Sequence, residues 1–156
     1  MITDELAANP FFEGILPAQI ERLSALFSAA CYKVDNTIFE QGETAERVYL
    51  LETGAVALRV HPEDGGCLTI AEIRPPGIFG WSAALGRSRY TSSAVCTQEA
   101  RVLVARGADL RGLVQSEPEL GRLLLGRMAL AVAGRDDGAH VHLARLIQAE
   151  MTHAKP

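Results

Sequence analysis

Glycine spacing sets the strongest constraint on this chain. Between Cys31 and Arg106, short β-prone runs alternate with breaks at Gly42, Gly54, Gly65-Gly66 and Gly77. Tyr32-Lys33-Val34 leads to Thr37-Ile38-Phe39, and Gln41-Gly42-Glu43 turns the chain into Arg47–Leu51. Thr53-Gly54 reads as a turn into Ala55–Val60, where Ala55, Ala57 and Arg59 alternate with Val56, Leu58 and Val60. Asp64-Gly65-Gly66 is a hairpin signal, because glycine reaches the positive φ values such turns require. Cys67–Ile73 returns as a strand and stops at Pro75-Pro76-Gly77, and Ser93–Thr97 and Ala100–Ala105 read as two more. Roughly six to eight short strands at such intervals predict a mainly β fold, an antiparallel β-roll or jelly roll of the double-stranded β-helix kind.

Helical periodicity flanks the roll. Ile20, Leu23, Leu26, Phe27 and Ala30 recur at three and four, which predicts a helix over Pro17–Ala30 with Pro17 in its first turn. Met1–Gly14 adds a short helix capped by Thr3 and interrupted by Pro10. Beyond Asp109, Leu110, Leu113 and Val114 suit a short helix, and Pro118 can start the next. Leu120, Leu123, Leu124, Met128 and Val132 then form an apolar stripe, resumed by Ala139, Leu143, Leu146 and Ile147. Either one long helix, weakened at Gly134–Gly138, or two helices with a break there fits; one long helix is favoured. Leu125, Val132, Ala139 and Leu146 stand seven apart, the spacing of a homodimer seam. The 156 residues thus read as a single domain, with an N-terminal helical segment (1–30), a β-roll (31–107) and C-terminal helices (108–156).

Charge and residue clustering narrow the function classes. A formal charge of −4 argues against a chain that wraps nucleic acid, since such affinity comes from neutralised phosphates. No apolar run approaches the roughly 18 residues of a bilayer span, and Asp4 and Glu5 stand where a secretory leader would be basic, so no membrane role is expected. Cys31, Cys67 and Cys96 are widely spaced and form no CxxC, which points to free thiols and a cytoplasmic setting. Cys67 and Cys96 read as buried and inert. His140 and His142 lie two apart on a segment expected to be helical and diverge, while His61 and His153 are isolated, so no metal site is expected. Neither an oxygenase triad nor a Ser/His/Asp set is apparent, and the chain is read as non-enzymatic.

Several segments in order resemble the cyclic-nucleotide-binding domain family, in its catabolite-activator-like sensor form. Phe39-Glu40-Gln41-Gly42-Glu43 is similar to that family's first glycine turn. Val48-Tyr49-Leu50-Leu51 with Thr53-Gly54-Ala55-Val56 is similar to its second. Pro75-Pro76-Gly77-Ile78-Phe79-Gly80 looks like the entry to its phosphate-binding cassette, and the likeness extends over about Phe11–Val132. The resemblance implies a short helix after Gly80 that offers backbone N–H groups to a cyclic phosphate. Ser82, Ala83 and Ala84 would form its first turn. In ligand-responsive members a glutamate follows that glycine and an arginine closes the cassette. Here Trp81 and Thr91 stand in those places, followed by Ser92.

The resemblance therefore implies a sensor whose cassette has lost two customary side chains. The ligand-binding set is Gly80, Trp81, Ser82, Ala83, Ala84, Arg89, Tyr90, Thr91 and Ser92, with no catalytic or metal residues. In an extended segment Arg89 shares a face with Thr91 and could bring a cation to the same pocket; a solvated loop arginine is the plainer reading. Trp81 either plugs the pocket or stacks on a planar ligand, and Tyr90 carries the same two readings. The ligand would be a cyclic nucleotide or related anionic nucleotide, and its effect would pass to the C-terminal helix. The alternative is a ligand-free module for dimerisation and protein interaction. Family members that bind DNA append a helix-turn-helix after the long helix, and the chain ends at Pro156, too soon for one, so direct DNA binding is not expected.

Overall fold

The computed structural model describes residues 2–62 and 65–133. Two strands organise it: β3 (Arg47–Val60) and β6 (Ser93–Arg106), each of 14 residues and paired antiparallel from Arg47↔Arg106 to Arg59↔Ser93. At one end of this pair, β1 (Phe27–Tyr32) adds to β6 and β5 (Ile78–Phe79) adds to β3. At the other end, β2 (Thr37–Phe39) adds to β6 and β4 (Leu68–Ile73) adds to β3. The six antiparallel strands and their flanking helices make the jelly-roll arrangement that the glycine spacing predicts.

The long pair bends because its register slips between Leu51 and Val56. Gly54 lies in that stretch at φ +93°, and a Cβ there would stand 2.2 Å from the Glu99 carbonyl oxygen. Residues 47–60 are therefore one bulged strand, and the turn expected at Thr53-Gly54 is a bulge. The two strands expected at Ser93–Thr97 and Ala100–Ala105 are likewise a single one. Beyond the bulge Ala55, Val56, Ala57 and Leu58 are all buried, so both faces are covered and simple alternation fails there.

Helices close the open ends. α1 (Ile2–Ala8) contains Thr3 inside it, not at its cap, and Pro10 starts a 3₁₀ turn (Pro10–Phe12) capped by the Asn9 side chain. α2 (Pro17–Ser24) stops well short of Ala30: Phe27–Tyr32 pairs with Tyr32↔Ala100 to Phe27↔Ala105, so β1 begins inside the segment expected to be helical. Phe12 meets Phe11 and Phe27 edge-on at 5.0 and 5.8 Å, tying the turn to β1. α3 (Trp81–Ala84) is one turn, α4 is Gly107–Ser116 and α5 is Pro118–Ala133. Leu120, Leu124 and Met128 of α5 are buried, whereas Leu123 of the expected stripe is exposed. Leu125 and Val132 of the expected seam lean partly on the domain's own core. Ala139, Leu146 and the question of continuity through Gly134–Gly138 lie outside the described residues. Cys96 is buried and its thiol pushed up by burial, as expected; Cys67 is exposed beside the β3–β4 turn.

A small charged cluster joins α1 to the sheet. Arg101 Nη2 lies 2.6 Å from Glu5 Oε1, and its Nε lies 3.3 Å from Glu52 Oε1. The hydrogen bond from Arg101 holds the Glu5 carboxyl below its ordinary 4.5, while burial pushes Glu52 above 4.5. The two act in opposite senses. Glu5 supports the fold above its unfolded value and loses that support as pH falls through its lowered folded value. Glu52 favours the fold most when protonated and loses that contribution as pH rises through its raised value. Glu52→Gln is expected to raise the neutral-pH melting temperature by roughly 1–3 °C, a gain that shrinks as the pH falls through the raised folded value of Glu52 towards its ordinary 4.5. A lower melting temperature at neutral pH would contradict this balance.

Candidate functional site: the segment from Gly80 to Ser93

β5 delivers the chain to Gly80 through the pairs Leu50↔Ile78 and Tyr49↔Phe79. Gly80 then takes φ +75° and caps α3. A Cβ at this position would meet the Arg47 carbonyl oxygen at 2.9 Å and Tyr49 Cδ2 at 3.1 Å. Glycine is required on both counts, and it lets the one-turn helix start against β3.

The helix is closed by main-chain bonds: the Ala83 N–H donates to the Gly80 carbonyl (3.2 Å) and the Arg87 N–H to that of Ser82 (3.0 Å). At its C-terminal end the Arg111 guanidinium, from α4, donates to the Ala83 carbonyl. A cation suits that end of a helix. Gly107, where α4 begins, passes so close that a Cβ would lie 2.1 Å from the same Ala83 oxygen.

The chain then returns along the first glycine turn. The Ala45 N–H donates to Ser88 O (3.0 Å), the Tyr90 N–H to Glu43 O (3.0 Å) and the Gly42 N–H to Tyr90 O (2.9 Å). Thr44 and Arg89 form an antiparallel bridge, and Arg89 Nη1 donates to the Gly42 carbonyl at 2.6 Å. Tyr90 is buried. Its ring stacks on Phe39 at 3.8 Å, its hydroxyl donates to Arg47 O (2.6 Å) and it accepts the Arg47 N–H (3.1 Å). Burial pushes the Tyr90 phenol above its ordinary value, which keeps the donating proton in place. Ser93 Oγ accepts the Gln41 N–H at 2.8 Å.

The expected site residues thus sort by environment. Gly80, Ala83 and Ala84 are buried in the start of the cassette, with Ser82 partly covered. Trp81 is partly buried and packs against the core. Arg89 and Thr91 are both exposed, as their shared face requires. Tyr90 and Ser92 are buried, so Tyr90 acts as a clamp and offers no open platform. Sequence reasoning missed Arg47 and Arg111. Arg47 contributes through its peptide group, which leaves no side-chain signature, and Arg111 is remote in sequence from the helix it holds.

Comparison with known proteins decides the family. Residues 31–117, more than half of the chain, match the model of the cyclic nucleotide-binding domain. The chain belongs to the cyclic nucleotide-binding domain family. This cyclic nucleotide-binding domain is 29% identical over 117 residues to a Rhodopseudomonas palustris protein described as a potassium channel, covering 75% of the chain and 28% of that protein. It is 25% identical to the cyclic AMP receptor protein of Thermus thermophilus, covering 80% of the chain and 57% of that protein. The chain spans from about a quarter to somewhat over half the length of these curated relatives. A solved structure from Geobacter metallireducens GS-15, described as a cyclic nucleotide-binding protein, superposes with a TM-score of 0.74 at 27% identity, covering 86% of this chain and 98% of that one. Among the described residues no helix is long and apolar enough to cross a membrane, and no three potential ligands gather around a metal position.

Removing the Tyr90 hydroxyl deprives both backbone polar groups of Arg47 of a partner. Tyr90→Phe is expected to lower the unfolding free energy by about 1–3 kcal/mol in urea titrations. A loss below about 0.5 kcal/mol would show that the clamp does not hold the segment.

Proposed function

We propose that this chain is a regulatory sensor domain whose cassette receives a small, planar, anionic ligand of the nucleotide class. The supporting observation is the state of Trp81. Beneath the cassette, Phe39, Tyr49, Phe79 and Tyr90 complete their own stack, with Tyr49 and Phe79 at 5.0 Å and 8° and Phe39 and Tyr90 at 3.8 Å and 15°. Trp81 is not a member of that stack and is only partly buried, which suits a stacking platform. In this reading the ligand's charge lies at the Gly80–Ala84 turn, its base lies on Trp81, and Arg89 with Thr91 and Ser92 borders it. No carboxylate stands where a ribose hydroxyl would be accepted, so the preference differs from that of a cyclic AMP receptor. The domain acts without catalytic activity of its own, in the cytoplasm.

Output would pass through α5, where binding shifts the packing of the helix against the roll; a ligand biases such an equilibrium only by its affinity difference between the two states. Leu123 and Leu130, seven apart and exposed, supply an apolar edge for a homodimer or a protein partner.

A second reading, a ligand-free dimerisation and interaction module, is favoured by the internal bonds that already close the segment. Arg89 is held on the Gly42 carbonyl, and Tyr90 on Arg47. The single tryptophan separates the two readings. Titration of Trp81 fluorescence with cAMP, cGMP and cyclic dinucleotides is expected to give a saturable change with at least one of them. Arg89→Ala is expected to weaken that response tenfold or more, since a charge-assisted bond to phosphate is lost. A flat response across the panel, with no thermal shift at high ligand concentration, would leave the interaction module.

A further inference from the structure

Beside the start of α4 lies a hollow that the sensor reading does not use. It measures about 420 Å³ and is lined by Ala45, Glu46, Arg47, Arg106, Ala108 and Arg111. That size falls within the roughly 300–1,000 Å³ typical of small-molecule pockets. We propose that this hollow is a binding site for a phosphoryl-bearing small molecule, held by the guanidinium groups of Arg47, Arg106 and Arg111.

Three observations carry the assignment. First, Arg47 and Arg106 are direct cross-strand partners at the end of the β3–β6 ladder, so their side chains share one face of the sheet. Like charges directly opposite one another disfavour the pairing unless an anion lies between them. Second, the described residues provide little counter-charge. Their ion pairs are Arg22 with Glu117, Arg74 with Glu72, and Arg101 with Glu5 and Glu52, and none includes these three arginines. Glu46 is the only carboxylate lining the hollow. Third, the frame is rigid, because the Gly107 N–H donates to the Glu46 carbonyl (2.9 Å) and fixes the start of α4 against β3. Guanidinium forks borne on a tied backbone suit the several oxygens of a phosphoryl group better than a single carboxylate.

The position gives the site a consequence. Arg111 already donates to the Ala83 carbonyl at the end of α3, so an anion that engages Arg111 touches the side chain that anchors the cassette helix. Occupancy here would therefore bear on the cassette. The assignment stands on the arginine geometry alone and does not depend on what the cassette binds.

The test is a titration of the ¹⁵N-labelled chain with sodium pyrophosphate at low ionic strength. Amide shifts are expected at Arg47 and across 106–111, with an affinity that falls as sodium chloride is added. Arg47→Gln and Arg106→Gln are each expected to weaken binding at least tenfold, Arg106→Lys less so, and Arg89→Ala not at all. Neither glutamine variant should melt below the parent chain, because each removes a like-charge opposition. The proposal is overturned if pyrophosphate shifts nothing, shifts only the 80–91 amides, or binds the glutamine variants undiminished. It is equally overturned if sulfate at matched ionic strength gives the same response, or if the glutamine variants are destabilised, since the arginines would then be structural.

Discussion

Both ends of the segment that runs from Gly80 to Tyr90 come up against the backbone of Arg47, which Gly80 approaches closely and Tyr90 hydrogen-bonds. The Arg47 carbonyl oxygen stands 2.9 Å from where a Cβ on Gly80 would be, and it also accepts the Tyr90 hydroxyl, which in turn receives the Arg47 N–H. The cassette is therefore a loop whose entry and exit converge on the first residue of β3. Its shape is set by the protein's own bonds. A ligand of the kind proposed would not have to order the loop, which would lower the entropic cost of binding.

That arrangement depends on β3 and β6 being single long strands. The outer part of β3 carries β5 and the cassette, while the part beyond the bulge carries β4 and closes the roll. The slip in register around Gly54 lets one strand pair with β5 at one end and with β4 at the other without a break in the main chain. The same ladder places Arg106 opposite Arg47, so the residue whose backbone holds the cassette also lines the basic hollow. Arg111 completes the link by holding the far end of α3.

The fold was largely legible because turn glycines and β-branched runs are local features. The order of helix, roll and helix followed from them. What failed did so for want of tertiary information. Gly54 looks like a turn glycine until the Glu99 carbonyl is brought within 2.2 Å of its missing Cβ. Phe27 and Ala30 satisfy helical spacing, yet β6 offers that stretch a strand partner, and pairing overrides the local period. Of the site, the substitutions at Trp81 and Thr91 could be read directly, and so could the glycine that starts α3. That Tyr90 and Ser92 share the face opposite Arg89 and Thr91 follows from the alternation; that this face is the buried one could not be read, because the Phe39 ring and the Arg47 backbone that receive Tyr90 are remote in sequence. The role of Arg47 was out of reach for a deeper reason: peptide groups are common to every residue.

The claim that most needs testing is that the cassette is held before any ligand arrives. Amide hydrogen exchange of the ligand-free chain addresses it directly through the N–H groups of Gly42, Ala45, Ala83, Arg87 and Tyr90, each of which donates within this segment. Protection approaching that of the β3–β6 ladder is the expected result. Exchange of these amides at rates close to those of an open loop, while the ladder remains protected, would mean that the segment is unformed without a ligand and that the Arg47 peptide does not hold it.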